Sequence, residues 1–302
     1  TIFTGEGKVM GMAPYGKPNI SIRKKLDNFL SISKEGRYRL DPKFVYFGPR
    51  NSSFRHTDLL EEILEIKARI PESQLEQIHF DIAYEVQNML EKVVKNLVIH
   101  FTKLKNTYDI CIAGGVANNC KMNGLISSLP EINQCYVIPA SADNGVSYGS
   151  AVLHLLEKDL HNKSITKKFS PYLGPSFSDN QILNTLNEAK ITKYKYHENQ
   201  SEMIKKVANY LANGKIVGWY QGRMEVGARA LGNRSILANP AFNNMKDIIN
   251  RDVKRRESFR PFAPSILDKY AEDWFEFYNQ RSPESIHRFL SLIHISEPTR
   301  LW

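Results

Sequence analysis

The chain has 302 residues, 42% of them hydrophobic and 24% charged, enough apolar mass for the cores of two domains and too much for a disordered polymer. Its longest apolar runs, around residues 111–116 and 216–220, fall far short of the roughly 20 residues that cross a bilayer, which excludes a membrane-spanning protein. Forty-one Lys and Arg against thirty-two Asp and Glu leave a formal charge of +9, which steers anionic partners such as phosphate-bearing small molecules or nucleic acid. Much of the excess is dispersed lysine, as at Lys24, Lys25, Lys167 and Lys168, and reads as solvated surface.

The sequence opens abruptly on Thr1 with no basic-then-apolar leader, and reads as a fragment whose N-terminal part is missing. Apolar residues at three- and four-residue steps from Leu75 through Ile78, Ile82, Val86, Met89, Leu90, Val93 and Leu97 to Phe101 and Leu104 predict a long amphipathic helix over about 73–105. Its polar side carries Glu85, Glu91, Lys92 and Lys95. A strand over 108–113, a glycine turn at Gly114 and Gly115 and a helix over 117–127 follow. A second strand over 135–139 leads through the small residues 140–145 into a helix that includes Val152 and Leu156. The alternation predicts an α/β domain.

From Lys158 to Pro171 the chain turns polar and lysine-rich, which marks a linker and a domain boundary. Ser201 is placed to cap a helix over 202–213, Gly214 to end it, and 215–220 to form the next strand. Residues 1–160 and 161–290 are therefore expected to be parts of two domains, the C-terminal part of the first and the N-terminal part of a second that is cut short. Residues 291–302 lose the preceding pattern and read as run-on or foreign sequence outside the fold. Cys111, Cys120 and Cys135 form no CxxC pair and cannot all be bridged, which suits a reducing compartment with the cytoplasm as default.

The segment richest in chemistry runs from Gln221 to Leu237, directly after a predicted strand. It holds Arg223, Arg229 and Arg234 with Gly222, Gly227 and Gly232, a single acid, Glu225, and Asn233. Glycines let backbone N–H groups approach an anion, and guanidinium forks bind phosphate bidentately. A second cluster, Lys254, Arg255, Arg256, Glu257 and Arg260, runs into Pro261, Phe262, Ala263 and Pro264. Two such clusters suit a polyanion such as ATP with a second phosphate, whereas a solvated basic face has no need of alternating Gly and Arg or of interleaved Phe259 and Phe262.

Together with these clusters, the blocks EGKVMGMAPYG (Glu6–Gly16), AGGVANNC (Ala113–Cys120), Pro139–Gly145 and YLGP (Tyr172–Pro175) resemble, in order, the O-carbamoyltransferases that decorate nodulation signals and antibiotics. The resemblance covers nearly all of residues 5–286. It implies a first domain with the duplicated actin and sugar-kinase (ribonuclease H-like) fold, and a second α/β domain similar to the synthase of threonylcarbamoyl-AMP. It further implies that the second domain forms carbamoyl-adenylate from carbamoyl phosphate and ATP, with Mg2+ accompanying ATP, and that the first delivers the carbamoyl group to a hydroxyl of a small metabolite.

On that resemblance, Arg223 and Arg256 are the expected catalytic residues, and Arg223, Arg229, Asn233, Arg234, Arg256 and Arg260 the residues that hold carbamoyl phosphate and ATP. Fixed guanidinium charge is what two mutually repelling anions require. Gly114, Gly115 and Asn119, with Lys8, match the turn beside the adenylate in the first domain, where a helix start offers N–H groups to phosphate. A plain strand-to-helix turn and a packed lysine stem are the alternatives. Asp143 matches an aspartate that helps bind iron (Fe2+), though alone it also suits a helix cap. No two of the eight histidines stand four apart, so the histidine pair of that metal site is expected before Thr1. Cys120 is expected to be a buried structural thiol rather than a nucleophile.

Two rival readings share some of these features. A tRNA threonylcarbamoyl transferase has the first-domain fold but does not normally carry the arginine-rich part on the same chain. A basic nucleic-acid-binding module needs aromatics interleaved on one basic face, for which only Lys193, Tyr194, Lys195 and Tyr196 qualify. That alternation is better explained by an edge strand.

Overall fold

The computed structural model describes residues 5–44, 58–70, 73–158, 170–227, 229–267 and 270–274. Most of the expected linker and the whole of the expected tail lie outside the described residues. Two compact units emerge, one from residues up to 112, 119–137 and 259 onward, the other from 113–118 and 138–258. Both mix helices with small sheets, as expected of an α/β chain.

The first unit is organised on one long helix. Its elements are α1 (Glu6–Met12), α2 (Ile20–Leu26), β1 (Leu30–Ile32), β2 (Tyr38–Leu40), α3 (Asp58–Leu64), α4 (Gln77–Lys105), β3 (Asp109–Ile112), α5 (Cys120–Ser127) and β4 (Gln134–Val137). Helix α4 starts four residues later than the periodicity predicts, because Glu76 caps it. The Glu76 side chain accepts the N–H of His79, and His79 Nδ1 accepts the Glu76 N–H at 2.9 Å. It ends where expected, on Asn106 in the left-handed region with φ +51°. Asparagine tolerates that conformation better than most residues.

One residue of the expected polar face is turned inward. Glu85 is only 2% exposed, and accepts Arg23 Nε at 2.9 Å and Nη2 at 3.0 Å, with the Asn19 N–H at 2.7 Å. A buried carboxylate is tolerable only with such partners. Conversely, Phe101 and Leu104 of the expected apolar face are exposed.

Against α4 the chain packs the tight turn Ala13–Tyr15, with the Tyr15 and Phe80 rings 5.9 Å apart. Phe259, from much later in the sequence, sets its ring edge-on to Phe80 at 6.4 Å, and its carbonyl accepts the Tyr15 hydroxyl at 3.3 Å. The contact is close enough that a Cβ on Gly16 would stand 2.1 Å from the Phe80 carbonyl oxygen. Strands β3 and β4 run parallel, Asp109 opposite Gln134 through Ile112 opposite Val137. Between them comes α5, the β-α-β connection that parallel strands require. Met122, Asn123 and Ile126 of α5 and Cys135 and Val137 of β4 are fully buried.

The second unit holds α6 (Val146–Glu157), α7 (Asp179–Glu188), α8 (Gln200–Ala212), β5 (Val217–Tyr220), β6 (Arg234–Leu237) and α9 (Met245–Ile248). A Ser178 and Gln181 capping box opens α7. The cap of α8 is Asn199, not the expected Ser201: its Oδ1 accepts the N–H groups of Ser201 and Glu202 at 2.9 and 3.4 Å. Asparagine two residues earlier reaches the orphan donors first. Gly214 follows the helix with φ +72°, donating to the Leu211 carbonyl, as expected. Strand β5 pairs antiparallel with β6, Val217 opposite Leu237 and Tyr220 opposite Arg234. The edge strand expected at residues 193–196 is absent. Those residues are irregular and exposed, since an alternating pattern makes a strand only where a neighbour takes up its backbone hydrogen bonds. Among the described residues no helix is long and apolar enough to cross a membrane.

The packing gives opposite expectations for two glycines of α1 and the turn after it. Gly16→Ala drives a methyl group into backbone and is expected to lower stability by roughly 1–3 kcal/mol or more. Gly7→Ala, where nothing lies within 4 Å of the new Cβ, is expected to raise it by about 0.5–1 kcal/mol. Urea unfolding of the two variants beside the unmodified chain measures both.

Candidate functional site

The hairpin β5–β6 carries the glycine and arginine segment, and its centre is an acid rather than a base. Glu225 is 5% exposed. Its Oε1 accepts the backbone N–H groups of Leu231, Asn233 and Arg234 at 2.9, 2.7 and 3.2 Å, and its Oε2 accepts Arg234 Nε at 2.6 Å. Burial alone pushes this carboxyl up, but the hydrogen bonds from Arg234 and from the Leu231 and Asn233 amides outweigh it and hold the pKa down at about 2. Glu225 is therefore held well below the ordinary carboxylate range.

Arg223 is anchored differently. Its Nε donates to the Gly174 carbonyl at 2.9 Å and its Nη2 to that of Leu173 at 3.1 Å, both in the YLGP block. The side chain is exposed, and a guanidinium has five N–H groups, so the fork is oriented by carbonyls while a further face stays in water. The same block is knitted to the loop elsewhere. Gly174 N donates to the Met224 carbonyl and Val226 N to that of Pro171, while the Tyr172 hydroxyl donates to the Leu231 carbonyl at 3.0 Å. Asn233 closes the ring, its Nδ2 donating to the Arg223 carbonyl at 2.7 Å.

Arg223, Asn233 and Arg234 thus belong to one hydrogen-bonded assembly around Glu225. Arg229 lies on the same loop and is partly exposed. Arg256 has a separate support. Its Nε donates to Asn250 Oδ1 at 2.7 Å, and Asn250, buried in the turn after α9, donates in turn to the Ser258 carbonyl at 3.2 Å. Arg260 falls in the first unit, with Lys8 on α1.

The glycine turn also lies in the second unit. Gly114, at φ +97°, donates its N–H to the Ser141 carbonyl at 2.7 Å, and the Ser141 hydroxyl donates to Asn118 Oδ1 at 3.2 Å. Gly115 and Val116 are exposed. Next to Ser141, the Pro139 carbonyl would stand 3.0 Å from a Cβ on Gly227, which brings the 139–145 block against the arginine loop. Asn119 serves α5 as its cap, Oδ1 accepting the Met122 N–H at 3.0 Å, and exchanges hydrogen bonds with Gln87. Beside β5, Met203, Val207, Trp219 and Gln221 line an open groove of about 510 Å³.

Asp143 is exposed at the start of a single tight turn. Among the described residues no three His, Cys, Asp or Glu side chains stand together. One carboxylate does not hold an iron ion, so the described residues do not by themselves fit the metal. Cys120 is buried with its Sγ 3.7 Å from Met10 Sδ, as a structural thiol should be. Burial, with the Cys111 thiol nearby, pushes Cys135 up to about 12, which leaves it inert. Sequence reasoning missed the roles of Glu225, Tyr172 and Asn250. A lone acid among three arginines was a visible signal for the first and the YLGP block for the second; Asn250 had none.

Fold and site define a mixed α/β protein with a basic, glycine-turned hairpin built on a buried carboxylate. The chain belongs to the carbamoyltransferase family: residues 2–152 match the carbamoyltransferase N-terminus and residues 208–298 the carbamoyltransferase C-terminus. It is 37% identical over 284 residues to the uncharacterized protein sll1178 of Synechocystis, covering 93% of this chain and 45% of that one. Nodulation protein NolO of Bradyrhizobium diazoefficiens is 34% identical over 277 residues, covering 90% and 46%. For nodulation protein NolNO of Sinorhizobium fredii the figures are 33% over 280 residues, 91% and 38%. The chain therefore spans less than half the length of these relatives.

The Glu225 interactions carry a pH signature. A carboxyl held below its ordinary value contributes stability that is complete above about pH 4.3 and is lost as pH falls through the folded value, here about 2. The stability gap between the unmodified chain and Glu225→Gln is expected to be constant from pH 8 down to about pH 4.5, and to close between there and pH 2. Urea midpoints across that range measure it.

Proposed function

We propose that the protein to which this chain belongs is an ATP-dependent O-carbamoyltransferase. In this reading carbamoyl phosphate, ATP and water give carbamoyl-adenylate, phosphate and pyrophosphate, and the carbamoyl group then passes to a hydroxyl of a small metabolite of the sugar or antibiotic kind, which gives up its proton as AMP leaves. Residues 161–290 would belong to an activating domain like the threonylcarbamoyl-AMP synthase, and residues 1–160 to a transfer domain of the actin and sugar-kinase type. The observation that carries the proposal is the Arg223 fork, held by two backbone carbonyls in a chain whose two ends both match the family.

The chemistry follows from charge. Two phosphate-bearing substrates repel each other, and cations fixed before they arrive offset that repulsion with little reorganisation. Arg223, oriented by two neutral carbonyls, keeps its charge available toward a ligand, and Arg256 is oriented by the Asn250 side chain. Arg229 adds to the field from the same loop, Arg260 stays a separate anion-binding candidate in the first unit, and Arg234 has its charge matched by Glu225 and contributes chiefly shape. Asn233 can present its side-chain carbonyl oxygen to a ligand hydroxyl. The groove beside β5 offers the Trp219 ring to a base. In the glycine turn Gly115 lies exposed beside Gly114; Asn119 and Lys8, in the first unit, are separate phosphate-side candidates carried by the resemblance. Asp143 would supply a single carboxylate to an iron site, and no step is derived through that metal; Mg2+ would enter with ATP. The cytoplasm, where both anions are made, is the proposed location.

Arg223→Ala and Arg256→Ala are expected to leave the fold intact and to cut pyrophosphate release from ATP and carbamoyl phosphate about thirtyfold to a thousandfold, equivalent to roughly 2–4 kcal/mol of transition-state stabilisation. The assay uses the complete gene product, with and without tRNA. Near-normal release by both variants removes the site assignment. A strict requirement for tRNA moves the protein to the threonylcarbamoyl class.

A further inference from the structure

We propose that Glu225 is a positioning residue that sets the pose of Arg223 through Asn233, so that the single acid of the arginine segment governs how tightly its exposed fork holds phosphate. The inference deepens the reading above and rests on it for the identity of the anion.

Three observations carry it. First, the Glu225 carboxylate touches solvent hardly at all, and four donors converge on it. It has no remaining surface for a substrate, and a second anion beside it would be repelled, so a direct role in binding phosphate is ruled out on electrostatic grounds.

Second, the contacts leaving Glu225 lead to Arg223 by two routes. One runs from Oε1 to the Asn233 amide and from Asn233 Nδ2 to the Arg223 carbonyl at 2.7 Å, which fixes the backbone of Arg223. The other runs from Oε1 to the Leu231 amide, through the Leu231 carbonyl to the Tyr172 hydroxyl at 3.0 Å, and on to the Leu173 and Gly174 carbonyls that hold the guanidinium. Backbone and side chain of one arginine are thus fixed from a common anchor.

Third, the geometry separates the two basic residues nearest the anchor by task. Arg234 places Nε directly on the carboxylate and is matched in charge. Arg223 is held only by neutral carbonyls. Glu225 therefore consumes one positive charge in order to orient another, an exchange that makes sense only if orientation, and not total charge, limits binding.

The test is calorimetric titration of the 302-residue chain with inorganic pyrophosphate, made on Glu225→Gln, Arg223→Ala and the double variant, with the folded fraction of each fixed by urea unfolding. Expected is a loss of affinity of at least tenfold per folded molecule for each single variant, and a double variant no weaker than Arg223→Ala, because a residue acting through another has nothing left to act on. Wild-type affinity in folded Glu225→Gln overturns the proposal, and so does an additive double variant. If Glu225→Gln does not fold, Asn233→Ala replaces it in the same cycle. It keeps the backbone amide on Glu225 and removes only the side-chain link, and additivity with Arg223→Ala again overturns the proposal. Pyrophosphate release from ATP and carbamoyl phosphate is measured separately. Its absence from the complete protein, with the coupling intact, sinks the carbamoyltransferase reading and leaves the positioning role standing.

Discussion

One buried carboxylate, Glu225, organises the arginine hairpin. An ionised acid out of water costs several kcal/mol unless its lone pairs are satisfied, and here three amides and a guanidinium satisfy them. That requirement dictates the local chain path. Leu231, Asn233 and Arg234 must turn their N–H groups inward, Gly232 between them takes φ +106°, and Arg234 begins a strand. The YLGP block is then tied on by backbone bonds and by Tyr172. What a glance at the sequence presents as a row of phosphate-seeking arginines is a frame with one cation spent inside it and another held at its rim.

The first unit repeats the device on a helix. Glu85 is buried against Arg23 and the Asn19 amide, joining α2 to α4. In both places a single buried acid ties backbone amides and a guanidinium together, from distant segments at Glu85 and within one hairpin at Glu225. The two differ in what surrounds them. At Glu85 the partner guanidinium, Arg23, is half-exposed, whereas the hydrogen bonds leading away from Glu225 end on a second arginine, Arg223.

Local patterns proved legible where the deciding forces are local. The three- and four-residue apolar steps announced α4, the glycine pair announced the turn after β3, and Gly214 announced the end of α8, because side-chain spacing and positive φ are properties of a few neighbouring residues. Glu85 was misassigned because its partner lies sixty positions upstream and no pattern within the helix records it. Strand β6 went unnoticed because Arg234, Ser235, Ile236 and Leu237 carry no alternation, and the strand exists only through its pairing with β5. The Tyr and Lys alternation at 193–196 misled for the converse reason, having a strand's pattern but no partner. For the candidate site, the block order identified which residues to inspect, while the roles of Glu225, Tyr172 and Asn250 depend on hydrogen bonds between segments and appear only in three dimensions.

The chain does not fill its two units in order. Phe259 completes an aromatic cluster with Tyr15 and Phe80, although nearly all of the second unit is synthesised in between. At ribosomal speeds of about 5–20 residues per second, Phe80 emerges on the order of ten seconds or more before the ring that covers it. During that interval the turn at Ala13–Tyr15 and the start of α4 stand on the nascent chain with an aromatic face open to water, the kind of surface that holding chaperones retain until the last piece arrives.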